Sequence, residues 1–325
     1  MVYGKNQSVS NPLNFDTELE GNLPSWMQFY DLNEKGWKYN LIKKMRKYDL
    51  IHAYMESPIF AMFSLKPIIS QSVGDDLREL AFQKSIRGYL LRRAYHKSKA
   101  FIFEWPPHKP FVEKLGIKNP IFIPKLWDTT FFQNHNIKKN ENRVLKLFHP
   151  LTQNWKEKGN DKFLKAFVRL CKEDIDVFLY YIDWGQDSQN AKEILNHPKV
   201  KNRVEIIPGP VSKERMLEYM KKSDILIDQF NSGSFTRTGI EGLNFGIPLL
   251  INFDKELHDS LFGESPPVFN ARNEDEVFTC IKDLVNSKDK ITEVAKKSQK
   301  WVKTHYDKEK NIQKYLQVYQ EILGK

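Results

Sequence analysis

Cysteine is almost missing from this chain: Cys171 and Cys280 are the only two among 325 residues. Two thiols cannot build the disulfide framework of a small secreted scaffold or a thiolate metal site, and they fit a reducing compartment. No run of about 18 apolar residues occurs, so the sequence signal of a membrane-spanning helix is lacking. The opening residues, MVYGKNQSVSNPLNF, hold no apolar stretch of signal-peptide type. The expectation is a soluble, cytoplasmic protein. Several catalytic signatures are absent too. There is no G-x-x-x-x-G-K-[ST], no G-x-G-x-x-G, no G-x-S-x-G and no spaced His/Cys zinc pattern, which withdraws support from P-loop, dinucleotide-dehydrogenase, α/β-hydrolase and zinc-enzyme readings. Internal repeats and low-complexity tracts are missing as well.

What is present is a chain of about two domains by length, with 40% hydrophobic residues, enough for two cores. Its net charge of +10 points to anionic partners, whether nucleic acid, a membrane surface or phosphorylated small molecules. No nucleic-acid-binding module is recognisable, so no nucleic-acid partner is expected.

Short apolar runs alternate with helical patterns along the chain. Strands are expected at residues 49–54, 67–71, 99–104, 120–124, 143–149, 175–182, 203–208, 224–230 and 249–251. Helices are expected at 35–48, 76–97, 161–172, 188–196, 212–222, 274–285, 291–304 and 309–323, with a turn at Ser57-Pro58 and nothing firm at 1–35. Such alternation predicts α/β architecture with parallel sheets and ligands at the strands' carboxyl ends. The segment QNHNIKKNEN, residues 133–142, cannot support a core. It divides an N-terminal domain, residues 1–138, from a C-terminal domain, residues 139–305, with a last helix at 306–325.

The stretch Asp224 to Asp254, DILIDQFNSGSFTRTGIEGLNFGIPLLINFD, reads as strand, small-residue loop, short helix and strand. A βαβ unit of this kind offers free backbone N–H groups at a helix N-terminus, where a phosphate or a sugar hydroxyl can be held. Glu241 lies in the first turns of the helix, and Thr238-Gly-Ile-Glu241 also fits a capping box. Lys158-Gly159 and Gly185 fall just beyond two other strands. Asp174-Ile-Asp176 precedes its strand, which argues against a metal-binding role, and Asp75 and Asp76 suit helix caps.

At these points the chain resembles the nucleotide-sugar-dependent GT-B glycosyltransferases, specifically the retaining family 4. FHPLTQNWKEKGND is similar to that family's strand-loop-KG segment. YYIDWGQD and RVEIIPGPVSKERMLEYMKKSDILIDQF are similar to its strand, Gly loop, strand, helix and strand, and GIEGLNFGIPLL to its Glu-bearing helix. The closing segment WVKTHYDKEKNIQKYLQVYQEIL resembles its C-terminal helices, the last of which packs back on the first domain. The resemblance implies two Rossmann-like doubly wound domains facing a cleft, with an abbreviated N-terminal one. It implies sugar transfer, with retention, from a nucleotide-sugar to a glycan, lipid-linked or other saccharide acceptor. A non-catalytic nucleotide-sugar or glycan-binding protein is the alternative.

On that resemblance Lys158, with Lys156 in reserve, neutralises the donor diphosphate, and Glu241 accepts the ribose hydroxyls. Gly185, Gly233, Ser234, Phe235, Thr236, Arg237 and His149 complete the expected donor site, with no metal and no cofactor beyond the co-substrate. Each has a plainer reading: Lys158 and Arg237 as solvated charges, Gly185 as a turn glycine, His149 as a structural histidine. Gly233 departs from the family, which has a Glu eight residues before Glu241; a sub-branch with a DQ…G pattern shares the change, and Asp228-Gln229 fits it. Backbone groups of Gly233 to Thr236 are the expected replacement. The family's HG.D signature reads Val73-Gly74-Asp75-Asp76, and its opening strand is not found before residue 49. Basic residues at 43–47 and 87–99 suit either solvated helix faces or peripheral contact at the inner face of a membrane.

Overall fold

The structure, a computed structural model, describes residues 2–4, 28–30, 33–127, 130–132 and 144–324. The expected linker at 133–142 lies outside the described residues. The chain divides into two compact units, one of residues 1–104, 108–123 and 315–325, the other of 105–107 and 124–314.

In the first unit β3 (Ile51–Tyr54), β4 (Ile68–Ser72), β5 (Ala100–Phe103) and β6 (Pro120–Phe122) form a parallel sheet in chain order. Ile69, Ala100, Ile102 and Ile123 pack with Tyr315 and Val318 of the last helix, Lys308–Leu323. Helices Trp37–Met45, Pro58–Ala61 and Ile86–Lys97 pack side by side, the latter two against β4. A separate parallel pair, β1 (Val2–Gly4) with β2 (Gln28–Tyr30), precedes them. The sequence shows neither strand, because three residues are too few to display a period of two.

The expected helix at 76–97 is broken. A turn of helix at Asp75–Arg78 and a 3-10 turn at Leu80–Phe82 come before Ile86–Lys97. Ser85 caps the latter, its hydroxyl accepting the Gly88 N–H at 3.1 Å, and Arg92 donates to the Ala81 and Gln83 carbonyls. A Cβ at Gly88 would stand 2.6 Å from the Gln83 carbonyl oxygen, so the glycine permits the fold-back. The turn at Ser57-Pro58 opens a short helix, with proline at its first position where no N–H is needed.

The second unit carries a six-stranded parallel sheet in the order β12-β11-β10-β7-β8-β9. Its strands are β7 (Leu145–His149), β8 (Val177–Asp183), β9 (Val204–Pro208), β10 (Ile225–Ile227), β11 (Leu249–Ile251) and β12 (Phe269–Asn270). Successive side chains feed opposite faces. Leu147, Leu179, Ile227 and Leu250 join helices Asn160–Lys172 and Glu274–Leu284 in one core, while Phe148, Tyr180, Leu226 and Ile251 join Lys213–Lys222, Arg237–Phe245 and Lys288–His305 in the other. Burial on both faces explains why these strands read as near-continuous apolar runs. Because β8 and β9 lie to one side of β7 and β10 to β12 to the other, the winding reverses between β7 and β10. Among the described residues no helix is long and apolar enough to cross a membrane.

Candidate active site

The loops that leave β7, β8 and β10 are sewn together at the strands' carboxyl ends. After β7, Asn154 caps the helical turn Trp155–Lys158, and Gly159 ends it at φ +66°. That glycine is required twice, since a Cβ would also meet Asn231 Oδ1 at 2.5 Å. The turn is pinned to the loop after β10: the Phe230 N–H donates to the Lys158 carbonyl at 2.6 Å. Asn231 Nδ2 donates to the Trp155 and Lys156 carbonyls at 3.1 Å, and Lys162 reaches the Phe230 carbonyl and Asn231 Oδ1. The pinning carries Lys158 Nζ to Gln229 Oε1, 3.2 Å away. Gln229 Nε2 in turn donates to the Ser234 carbonyl at 2.6 Å.

Asp228, fully buried at the end of β10, accepts the Thr236 N–H at 3.0 Å. Burial pushes its carboxyl up to about 6, against the pull of the Thr236 bonds and the Lys158 charge. Thr236 is the cap of the helix Arg237–Phe245, its hydroxyl accepting the Gly239 N–H at 3.0 Å. The capping box that Thr238 to Glu241 also fits is therefore not formed, because the helix starts two residues earlier. Glu241 pairs instead with Arg237 at 3.0 Å. Its carboxylate is buried while the guanidinium is half exposed. Burial raises the Glu241 pKa, and Arg237 and then Lys213 oppose the rise.

Gly233 stands at φ +69°, with its carbonyl accepting the Asp254 N–H at 2.9 Å. A Cβ there would meet Asp254 Cβ at 3.2 Å. A glutamate at this position would thus be strained in backbone and crowded in side chain. The Gly233 and Ser234 carbonyls and the Thr236 N–H are all engaged within the protein. Ser234 also meets His258 Nε2 at 3.2 Å, and Phe235 is buried against Phe253, His258 and Trp301. Lys156 is exposed.

Gly185, at φ +107°, lies so close to the β7 loop that a Cβ would be 2.5 Å from Thr152 Oγ1 and 2.6 Å from the Gln153 nitrogen. Its neighbours close the seam, with the Gln153 N–H donating to the Trp184 carbonyl and the Trp155 N–H to Asp187 Oδ2, both at 2.8 Å. His149 sits beneath, with no exposed surface. Its Nδ1 donates to the Ile227 carbonyl, and its Nε2 accepts from Asn160 and Gln153. Burial lowers its pKa to about 4, so the ring is neutral. Both nitrogens are spent on ties between β7, β10 and the following helix.

Lys158, Ser234 and Thr236 are thus gathered around two residues that sequence reasoning noted as a pattern without assigning a role, Asp228 and Gln229. The signal was a polar pair directly after an apolar strand. Asp174 and Asp176 stand before β8, away from the carboxyl ends, and Asp174 pairs with Lys199 and Arg203. In the first unit Gly74, not Asp75 or Asp76, stands at the cap position of the turn Asp75–Arg78, and Asp76 reaches back from inside it to accept the Val73 and Gly74 N–H groups and the Tyr95 hydroxyl. Among the described residues no group of three His, Cys, Asp or Glu could hold a metal ion.

No family model matches the sequence, and no curated protein matches it. Solved structures do match in three dimensions. HepE from Anabaena, crystallised with UDP, is similar at a TM-score of 0.72 and 12% identity, over 91% of this chain and 86% of that one. Sucrose-phosphate synthase from Thermosynechococcus elongatus follows at 0.66 and 12%, over 91% and 81%. The chain has the GT-B fold. A glycosyltransferase from Rickettsia africae shares it at 0.66 and 16%, over 91% and 85%. Within a GT-B unit of this winding, the crevice outside β7 and β10 is the switch point at which α/β sheets bind ligands. The seam described above rims that point.

Proposed function

We propose that this GT-B protein transfers a sugar from a nucleoside diphosphate sugar to a saccharide acceptor, glycan or lipid-linked, with retention at the anomeric carbon. The observation that carries the reading is the pinning of Lys158 to the loop that opens the Glu241 helix, at the point where the sheet's winding reverses. Departure of a nucleoside diphosphate leaves charge on its β-phosphate. A fixed ammonium and a helix N-terminus meet that charge without reorganising as it develops, and the reading assigns the task to them without a metal ion. Glu241, desolvated and held by Arg237, suits the paired hydroxyls of a ribose. HepE, in its crystal structures, is held with UDP and with UDP-glucose, which makes a uridine donor the first to try. The working location is the cytoplasm, with acceptor chemistry at a membrane surface.

A second reading, donor or glycan binding without transfer, is favoured by Gly233, whose left-handed backbone excludes the usual carboxylate. Calorimetry with UDP-, GDP- and ADP-sugars, followed by product analysis, separates the two. Transfer or donor hydrolysis supports the enzyme, whereas saturable binding with no turnover supports the second reading. Donor affinity unchanged in both Lys158→Ala and Glu241→Ala would remove the site from either.

A further inference from the structure

The first unit carries an unusual surface. Residues 33–99 hold fourteen Lys and Arg against six Asp and Glu, so a fifth of the chain carries eight of its ten net positive charges. The same stretch contains eight of the twelve exposed large hydrophobic side chains among the described residues. Two segments bring the features to one place. Helix Trp37–Met45 ends in Lys43-Lys44-Met45-Arg46-Lys47-Tyr48, with no acidic residue between 35 and 48. The turn Phe63-Ser64-Leu65-Lys66 joins the helix Pro58–Ala61 to β4. The Arg46 guanidinium donates to the Phe63 carbonyl at 3.2 Å and fastens the turn to the helix end.

Folding alone does not account for the turn. Leu65 adopts φ +64°, a conformation that L-residues avoid, and holds its side chain 84% exposed, where it packs no core. Phe63 beside it is 49% exposed and Tyr48 across the tie 53%. Apolar and aromatic tips fastened to a helix end rich in lysine and arginine have the composition of an interfacial anchor. The tips enter the acyl boundary while the long basic side chains reach lipid phosphates. A nucleic acid would use the charge but leave Leu65 and Phe63 in water, and a typical protein interface is poor in lysine.

We propose that the Phe63–Lys66 turn and the basic end of helix Trp37–Met45 dock this protein on an anionic bilayer, with Phe63 and Leu65 inserted and Lys43, Arg46, Lys47 and Lys66 against phosphate headgroups. On the sugar-transfer reading this places the chain beside acceptors carried on lipid. The docking itself requires no nucleotide, so it is tested apart from that reading.

The test is flotation of the full chain with phosphatidylcholine vesicles, with and without added phosphatidylglycerol. Binding is expected on the anionic vesicles only. Phe63→Ser with Leu65→Ser weakens it about tenfold or more, the loss expected when two apolar side chains no longer leave water. Lys43→Glu with Lys47→Glu does the same at low salt. Leu65→Trp gives the insertion directly, since its fluorescence is quenched by lipids brominated in the acyl chain. Absence of binding to anionic vesicles overturns the proposal. So does binding that the Ser pair leaves unchanged, or an unquenched Trp at position 65, either of which would mark a surface for anionic polymers. Circular dichroism and thermal melting of each variant exclude unfolding as the cause of a loss.

Discussion

The seam at β7 and β10 and the turn at Phe63–Lys66 invert the ordinary rules of burial in opposite senses. At the seam, polar groups are buried: Asp228, Gln229, Ser234 and Glu241 are all nearly inaccessible, yet each is held by a partner. At the turn, apolar groups are exposed and charge of one sign is concentrated. Outside residues 33–99 the chain is close to neutral, with thirty-seven Lys and Arg against thirty-five Asp and Glu. Folding alone favours neither arrangement. The seam suits a small polar ligand whose hydroxyls and phosphates replace water, and the turn suits a surface that replaces water with acyl chains. The two proposals thus rest on opposite departures of burial from the norm.

Substitutions that strike one region and spare the other test this division. The largest effect is expected from Lys158→Ala. It should lower turnover with a soluble acceptor by about 10²–10³-fold, the cost of losing one preorganised charge-stabilising group, and leave vesicle flotation as in the parent. A steady-state rate and a flotation assay on the same preparation check both halves.

Acid should act through three buried histidines. Burial lowers His149 and His258 to about 4, and His52 of the first unit also to about 4. Folded values below the unfolded one mean that the unfolded chain takes up more protons below pH 6.5. Stability is complete above that pH and is lost as pH falls from about 6.5 to about 4, by at most about 3 kcal/mol for each histidine. Denaturant unfolding across that range should show the midpoint falling with acid, the three histidines together outweighing Asp228. His149→Gln should flatten that fall.

Asp228 works in the reverse direction. Its folded value, pushed up to about 6, exceeds the unfolded one, so its ionisation costs stability that is recovered as pH falls from about 6 to about 4. Asp228→Asn keeps an acceptor for the Thr236 N–H and removes this dependence. At pH 7.5 the variant should match or exceed the parent by about 1–2 kcal/mol, and at pH 4 the gain should vanish. A denaturation midpoint that falls at pH 7.5 but not at pH 4 would show the charge itself to be needed. Smallest of all is the effect of Leu65→Ser on stability, expected within about 0.5 kcal/mol because the side chain packs on nothing. A larger loss would mean that the turn serves the fold.

Much of the fold was legible because β7, β8, β10 and β11 are buried on both faces and spell this out as unbroken apolar runs. Where a few polar contacts decide the path, the sequence misled: the Arg92 and Ser85 bonds that break the helix at 76–97 have no periodic signature. The site divides in the same way. Lys158 and Glu241 stood out through their resemblance to a family, and their surroundings did not. Gln229 meets Lys158 across 71 positions, and no spacing rule reports such a pair. The [ST]-x-x-E pattern at Thr238 forms no capping box, since Thr236 caps the helix two residues earlier and Gly239 stands where the box would need its carboxylate. His149 shows a further limit: a histidine at a strand's end can face solvent or core, and here three buried hydrogen bonds settle it inward.

The Phe230 to Lys158 bond has a consequence for assembly. It joins the two sides of the switch point with a backbone contact between segments that are far apart along the chain, so the seam does not exist until β10 has settled beside β7. Partly folded chains that contain only one of the two strands offer a ligand nothing. A molecule recognised there therefore binds the finished unit alone and stabilises it as a whole, by about 2.7 kcal/mol at a hundred times its Kd. The midpoint of thermal unfolding becomes a measure of site occupancy.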